Sequence, residues 1–197
     1  MSDIKNITKY TQEKQEQQLS IHSEILFGDE KYTFSHREVP NTPLSMHLPE
    51  SLILMSNASI KLKYPSVERP KIILTTINET VNFLYTPTEI EFPSTELKTT
   101  MEGFRAVLKR MNPSFVINEP QPLQTTQDKE IYWFDYRSPV METELYNLMY
   151  ATEVNGTLFM GGFNCLWKYR FQWKTLILQM MRTITVKETT DAESSLA

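Results

Sequence analysis

The chain has 197 residues, 40% hydrophobic and 22% charged, which is enough apolar material to bury one substantial core and too much for a disordered chain. Its formal net charge of −4, with Lys and Arg scattered along the chain, argues against nucleic acid as a main partner, because phosphate binding draws on clustered cations. One cysteine, Cys165, excludes an internal disulfide and every cysteine-rich zinc arrangement, so a reducing, cytoplasmic setting is expected.

Residues 1–20 are rich in Gln, Lys and Glu, and are expected to form a mobile lead-in or a frayed helix. They contain no apolar run of the kind a signal peptide needs. No segment approaches the ~20 apolar residues that span a bilayer, so membrane insertion is not expected. A single folded unit is expected over residues 21–184, followed by a disordered polar tail over 185–197. Apolar and polar residues roughly alternate over Ile21–Phe27 and Tyr32–Val39 on either side of Gly28-Asp29-Glu30, which predicts a β-hairpin. Pro40, Pro43 and Pro49 punctuate short extended pieces at Leu44–Leu48 and Leu52–Met55. Ser56–Tyr64 reads as a helical turn that must stop at Tyr64, because Pro65 biases the residue before it away from helix.

Lys71–Thr76 and Val81–Thr86, joined by Ile77-Asn78-Glu79-Thr80, predict an antiparallel hairpin. Ser94 is a candidate helix cap, and Leu97, Met101, Phe104, Leu108 and Met111 follow as one apolar stripe, with Asn112-Pro113 as the stop. Gly103 inside this helix suggests close packing there. Strands are predicted at Glu130–Ser138, Thr143–Glu153 and Thr157–Asn164, the last two joined by the type I′ turn signal Asn155-Gly156. Both alternating faces of these strands are apolar or aromatic, so the sheet must be covered on both sides. A last helix over Leu166–Ile184, with Tyr169, Trp173, Leu176, Ile177, Met180 and Ile184 on one face, supplies the second cover. The expected fold class is α+β: a central, largely antiparallel sheet of about six to seven strands with helices on both faces.

Chemical motifs are sparse. None of the five glycines stands in a nucleotide-binding pattern, and Gly161-Gly162 reads as a bulge or a close approach of the last helix. His22, His36 and His47 all fall in predicted strands at a spacing that matches no metal motif, although His36 and His47 could meet in space. Cys165 at a strand end reads as a small buried hydrophobe rather than a nucleophile. The carboxylate pairs Glu142/Glu144, Glu89/Glu91 and Asp128/Glu130 lie among polar neighbours and read as solvated loop charge. Lys109-Arg110 falls in the last turn of a predicted helix, where cations favour the macrodipole. No catalytic residue, cofactor or metal is expected. One feature stands out: Trp167, Phe171, Leu178 and Met181 point away from the main stripe of the last helix, a second apolar side that either marks an interaction surface or lies under a loop or the N-terminal segment.

Several segments together resemble the PsbP-like superfamily: Tyr64-Pro65-Ser66-Val67-Glu68-Arg69-Pro70-Lys71-Ile72-Ile73-Leu74-Thr75, Thr80-Val81-Asn82-Phe83, and Lys109-Arg110-Met111-Asn112-Pro113. Tyr146-Asn147-Leu148-Met149-Tyr150, the run Gly156–Cys165 ending in Phe163-Asn164-Cys165, and Trp173 add to the likeness, which spans about Pro43 to Ile184. After Cys165 the chain departs from that pattern, with Leu166-Trp167-Lys168-Tyr169-Arg170 where Pro and acidic residues are usual. The resemblance implies an α/β/α sandwich around an antiparallel sheet. It also implies a binding role, since members are mostly binding proteins and some DcrB-like members are chaperones or adaptors, and it supplies no catalytic residue. The functional expectation is therefore a non-enzymatic protein-binding or adaptor domain whose partner is another protein, a peptide or a second copy, held on the sheet face or against Trp167, Phe171 and Leu178. The alternative is a small-molecule-binding domain or small enzyme, which would show a pocket with converging polar groups.

Overall fold

The computed structural model describes residues 19–27, 30–141 and 143–187. The chain begins with a short ribbon of β1 (Ile25–Phe27) and β2 (Glu30–Tyr32), followed by β3 (Phe34–Glu38) paired with β4 (Leu44–Pro49). Next come β5 (Ile53–Leu54) and helix α1 (Asn57–Lys63), whose start is capped by the Ser56 hydroxyl accepting from the Ser59 amide. β6 (Ile72–Thr75) and β7 (Val81–Glu91) form the predicted hairpin and lead into helix α2 (Leu97–Met111). Two short strands, β8 (Val116–Ile117) and β9 (Gln121–Gln124), precede the meander of β10 (Glu130–Val140), β11 (Thr143–Val154) and β12 (Thr157–Leu166). Helix α3 (Arg170–Arg182) and the short strand β13 (Thr185–Val186) follow.

Eight of these strands make one antiparallel sheet in the order β5-β6-β7-β12-β11-β10-β8, with β9 also pairing to β10. Asn155 (φ 49°) and Gly156 (φ 80°) both take positive φ in the β11–β12 connection, as a type I′ turn demands. β13, β4 and β3 form a second, three-stranded sheet. One face of the large sheet packs against α2, with Leu97 and Met101 meeting Phe134, Ala151 and Leu158. The other face carries Phe83, Tyr85, Tyr146, Leu148, Tyr150 and Phe163 beneath a layer made jointly by α3 and the small sheet. Trp173 of α3 is the hub of that layer: its ring centroid lies 5.1 Å from Tyr32, 5.3 Å from Phe27 and 5.4 Å from Phe163. Removing such a buried ring costs about 3–5 kcal/mol.

A polar row crosses the α2 face of the sheet. Thr75 donates to Asn82 (2.6 Å), Asn82 donates to Asn164 (2.8 Å), and Asn164 donates to the Tyr64 hydroxyl (3.1 Å). Asn147 stands opposite Asn164 in register and donates to Ser138 (2.9 Å). Every amide in the row is buried and hydrogen-bonded, as a polar group out of water must be.

Several sequence expectations are corrected. The predicted N-terminal hairpin splits in two, because β1 pairs only with β2 while β3 turns away to pair with β4; Gly28 and Asp29 lie outside the described residues. His22 sits in a turn rather than a strand. Ser94 opens a 3₁₀ turn and makes no side-chain cap, and Met111 of the predicted stripe is 71% exposed. Gly103 meets nothing that a Cβ would touch, so its helix face is open instead of closely packed. Gly161-Gly162 is neither a bulge nor an approach of the last helix: pairing to β7 is continuous there, and the irregularity lies between Thr157 and Phe159. Gly161 instead makes room for the Tyr150 ring, its cross-strand partner in β11. β12 continues through Leu166, so α3 begins four residues later than predicted, after a 3₁₀ turn at Trp167–Tyr169. The expected tail begins as structure, since Thr185 and Val186 pair with Ser45 and Leu44. Residues 1–18 and 188–197 lie outside the described residues.

Candidate functional site

The passage from β12 through the 3₁₀ turn into α3 separates buried side chains from a run of surface ones. Cys165 and Trp173 go inward, while Trp167, Lys168, Arg170 and Phe171 stay at the surface. Trp167 is half-buried, with its ring 6.3 Å from Tyr146. The Arg137 guanidinium lies 5.6 Å from the Trp167 ring centre and that of Arg170 lies 4.5 Å from it. Arg170 also stands 3.9 Å over the Phe171 ring, which is 40% exposed, and its Nη1 donates to the Trp167 carbonyl at 3.1 Å. The result is a chain of alternating cations and aromatic faces, Arg137–Trp167–Arg170–Phe171, each contact of the kind worth about 0.5–1 kcal/mol at an exposed site. Beside it opens a cleft of about 510 Å³ lined by Thr143, Glu144, Leu166, Trp167, Lys168 and Arg170.

The four residues expected to share a second apolar side do not share it. Trp167 and Phe171 flank Arg170, Leu178 is half-buried against the core, and Met181 is fully buried. The N-terminal segment covers this end of the helix. Gln179 donates to the Leu19 carbonyl (2.8 Å) and accepts from the Ile21 amide (3.1 Å), so Leu19 and Ile21 are held against α3. Met181, fully buried, is no part of any surface.

A buried acid escaped the sequence reading. Asp135 is 3% exposed, accepts from Asn118 (2.6 Å) and from the Tyr146 hydroxyl (3.0 Å), and is paired with Lys174 of α3 at 2.8 Å. Lys174 also lies 5.2 Å from the Trp133 ring centre. Burial, followed by the neighbouring Asp135 charge, pushes the Tyr146 hydroxyl well above the ordinary phenol range, so it stays a proton donor. With both oxygens engaged, this carboxylate is occupied in holding α3 to the sheet. Nothing in its local pattern marks it, because it occupies one position of an aromatic strand whose neighbours, Phe134 and Tyr136, face the other way.

The remaining candidates have plain outcomes. Burial pushes the Cys165 thiol up, far from the thiolate a nucleophile needs, and its sulfur donates weakly to the Leu166 carbonyl at 3.5 Å. The three histidines converge: His47 is edge-on to His36 at 5.4 Å and to His22 at 5.7 Å, because β3–β4 register sets His36 opposite His47. Burial, and then the charges of His36 and His22, hold His47 below the usual imidazole range, and its Nδ1 is buried without a partner among the described residues. A cavity of about 320 Å³ adjoins them, lined by Ile21, His22, Ser23, Glu24, Thr33, Phe34 and His47. Among the described residues, no three His, Cys, Asp or Glu side chains are placed to hold a metal ion. Glu144 pairs with Arg137 at 3.3 Å; Glu89, Glu91, Asp128 and Glu130 are exposed, and Glu142 lies outside the described residues. Among the described residues, no helix is long and apolar enough to cross a membrane.

No protein-family model matches the chain, and no curated protein matches it. Solved structures do. The chain is similar to the solution structure of the cyanobacterial PsbP protein CyanoP from Synechocystis, with 12% identity and a TM-score of 0.57 over 83% of this chain and 98% of that one. It is also similar to the crystal structure of LpqN, involved in cell envelope biogenesis of Mycobacterium tuberculosis, with 10% identity and a TM-score of 0.50 over 80% and 91%. At these identities the likeness concerns the path of the backbone alone. The chain has the PsbP-like α+β fold, an antiparallel sheet between helical layers.

Proposed function

We propose that this chain is a non-enzymatic binding or adaptor domain that holds a segment of another protein against the surface formed by Arg137, Trp167, Arg170 and Phe171. The observation that carries this reading is the half-open stack of two aromatic rings and two guanidiniums beside a cleft of about 510 Å³. Trp and Arg dominate the energetics of protein interfaces, because each offers a large rigid surface together with a polar handle. The dry environment of Cys165 and the engaged oxygens of Asp135 favour binding over chemistry. A reducing, cytoplasmic setting is part of the reading and suits a lone buried thiol.

The test is site-directed cross-linking. A photoreactive residue at Lys168, which is exposed at the cleft mouth, should trap one defined protein from cells that express the chain. The doubly substituted Trp167→Ala/Phe171→Ala protein should lose that product while keeping the wild-type circular dichroism spectrum. A product unaffected by these substitutions, or a chain that traps nothing from this position, refutes the reading.

A further inference from the structure

We infer that the segment docked here bears a carboxylate, presented next to an apolar side chain, and that Arg170 receives it; this rests on the docking role proposed above. Three cations stand at the site, Arg137, Lys168 and Arg170, and Arg137 is already matched within the chain by Glu144 at 3.3 Å. Lys168 and Arg170 have no carboxylate within ion-pairing distance among the described residues. Both are held against rings instead, Lys168 at 4.8 Å over Tyr169 and Arg170 at 4.5 Å and 3.9 Å from the centres of Trp167 and Phe171.

In a chain of net charge −4, two unmatched cations side by side at a cleft mouth form a local field of the opposite sign, which steers an acidic segment toward them. The Arg170 head is also pre-organised. One edge is fixed by its bond to the Trp167 carbonyl and its plane is supported by two rings, so its remaining donors keep the fork geometry that fits a carboxylate. Phe171, 40% exposed, and the outer part of Trp167 lie next to that fork, so an apolar residue neighbouring the acid would cover them. The partner that fits is an acidic protein segment with an aromatic or aliphatic residue beside its Asp or Glu. A phosphate-rich surface offers charge without that apolar half.

The site carries its own probe, because Trp133 and Trp173 are buried (5% and 1% exposed) while Trp167 is half-open. Intrinsic fluorescence of the full chain is titrated with three short peptides that share one Leu-Phe core and carry Glu/Asp, Gln/Asn or Lys flanks. The Trp167→Phe protein identifies the source of the signal. The expected result is a saturable change with the acidic peptide alone, weakened by added salt, and weakened about tenfold by Arg170→Met, with Arg170→Lys in between because it keeps the charge and loses the fork. If the acidic and amide peptides bind equally well, the carboxylate inference fails and the docking role stands. If no peptide changes the fluorescence, both fail. If vesicles containing phosphatidylglycerol or a single-stranded oligonucleotide bind and the acidic peptide does not, the partner class is wrong and the inference is overturned. Unfolding temperature is measured for each variant, and a wild-type value for Arg170→Lys keeps the comparison valid if Arg170→Met is unstable.

Discussion

Adjacent glycines in β12 should respond very unequally to the same small change. A Cβ built on Gly161 would fall far inside the 3.0 Å that real Cβ atoms keep from their neighbours, and the atoms it meets are Cζ, Cε1 and the hydroxyl of Tyr150. That ring is 1% exposed and packed among the aromatic side chains of the inner layer, so it cannot swing into solvent as a surface side chain would. Overpacking of this kind costs about 1–3 kcal/mol, and the depth of the overlap puts Gly161→Ala at the upper end, about 3 kcal/mol. The entropic gain from replacing a strand glycine, about 0.5–1 kcal/mol, does not offset it. Gly162 faces the other way, and its added Cβ would meet Leu148 and Leu84 at 3.4 Å, an ordinary contact, so Gly162→Ala should change stability by less than about 1 kcal/mol. Urea unfolding of both variants is the assay. A double-mutant cycle with Tyr150→Leu, which removes the three clashing atoms, should show the two substitutions relieving each other by about 2 kcal/mol. A Gly161→Ala protein of wild-type stability, or a cycle additive within about 0.5 kcal/mol, would refute the reasoning.

Gly103→Ala, on an open helix face with nothing in reach, should stabilise the protein by about 0.5–1 kcal/mol in urea unfolding. Asp135→Ala strands the buried Tyr146 hydroxyl and removes the partner of Lys174, so it should cost about 3 kcal/mol, and Asp135→Asn, which keeps part of the network, about half as much. His47 is held below its ordinary value of 6.5 by burial and by His36 and His22, so the unfolded chain takes up its proton more readily than the folded one. Stability should therefore fall as pH drops through about 6.5, and a thermal-melt series should show a shallower fall for His47→Gln.

Much of the architecture was legible because it rests on local pattern. The stripe of Leu97, Met101, Phe104 and Leu108 marks α2, and the aromatic alternation with Asn155-Gly156 marks the β10–β12 meander. Apolar residues on both sides of those strands required two covers, and there are two. What stayed hidden depends on distant partners. β9 contains Gln121, Pro122 and Gln124 and is a strand only because β10 offers an edge to pair with. β13 looks like tail and is ordered by β4. The meeting of His36 and His47 was foreseen, but the arrival of His22 beside them needs the anchoring of Ile21 to Gln179, which no periodicity encodes. At the candidate surface, Trp167 and Phe171 stood out as apolar side chains off the main stripe. Their pairing with Arg137 and Arg170 arises from the fold, since Arg137 comes from another strand. Met181 was misplaced because a helical projection cannot see what the rest of the chain packs against it, and it is fully buried in the core.

The amide row on the α2 face acts as an alignment pin for the three strands it crosses. If β12 slides one position against β7, Asn164 turns into the aromatic layer of Phe83 and Trp173 and has no acceptor there. If it slides two, the amide keeps its face but meets Leu84, and the exchange with Asn82 is lost. Each displaced amide left without a partner is penalised by about 1–3 kcal/mol, so misaligned pairings of these long hairpins are disfavoured by several kcal/mol together. Greasy strands of this length, which oil alone would let slip past one another, are thereby locked to a single pairing.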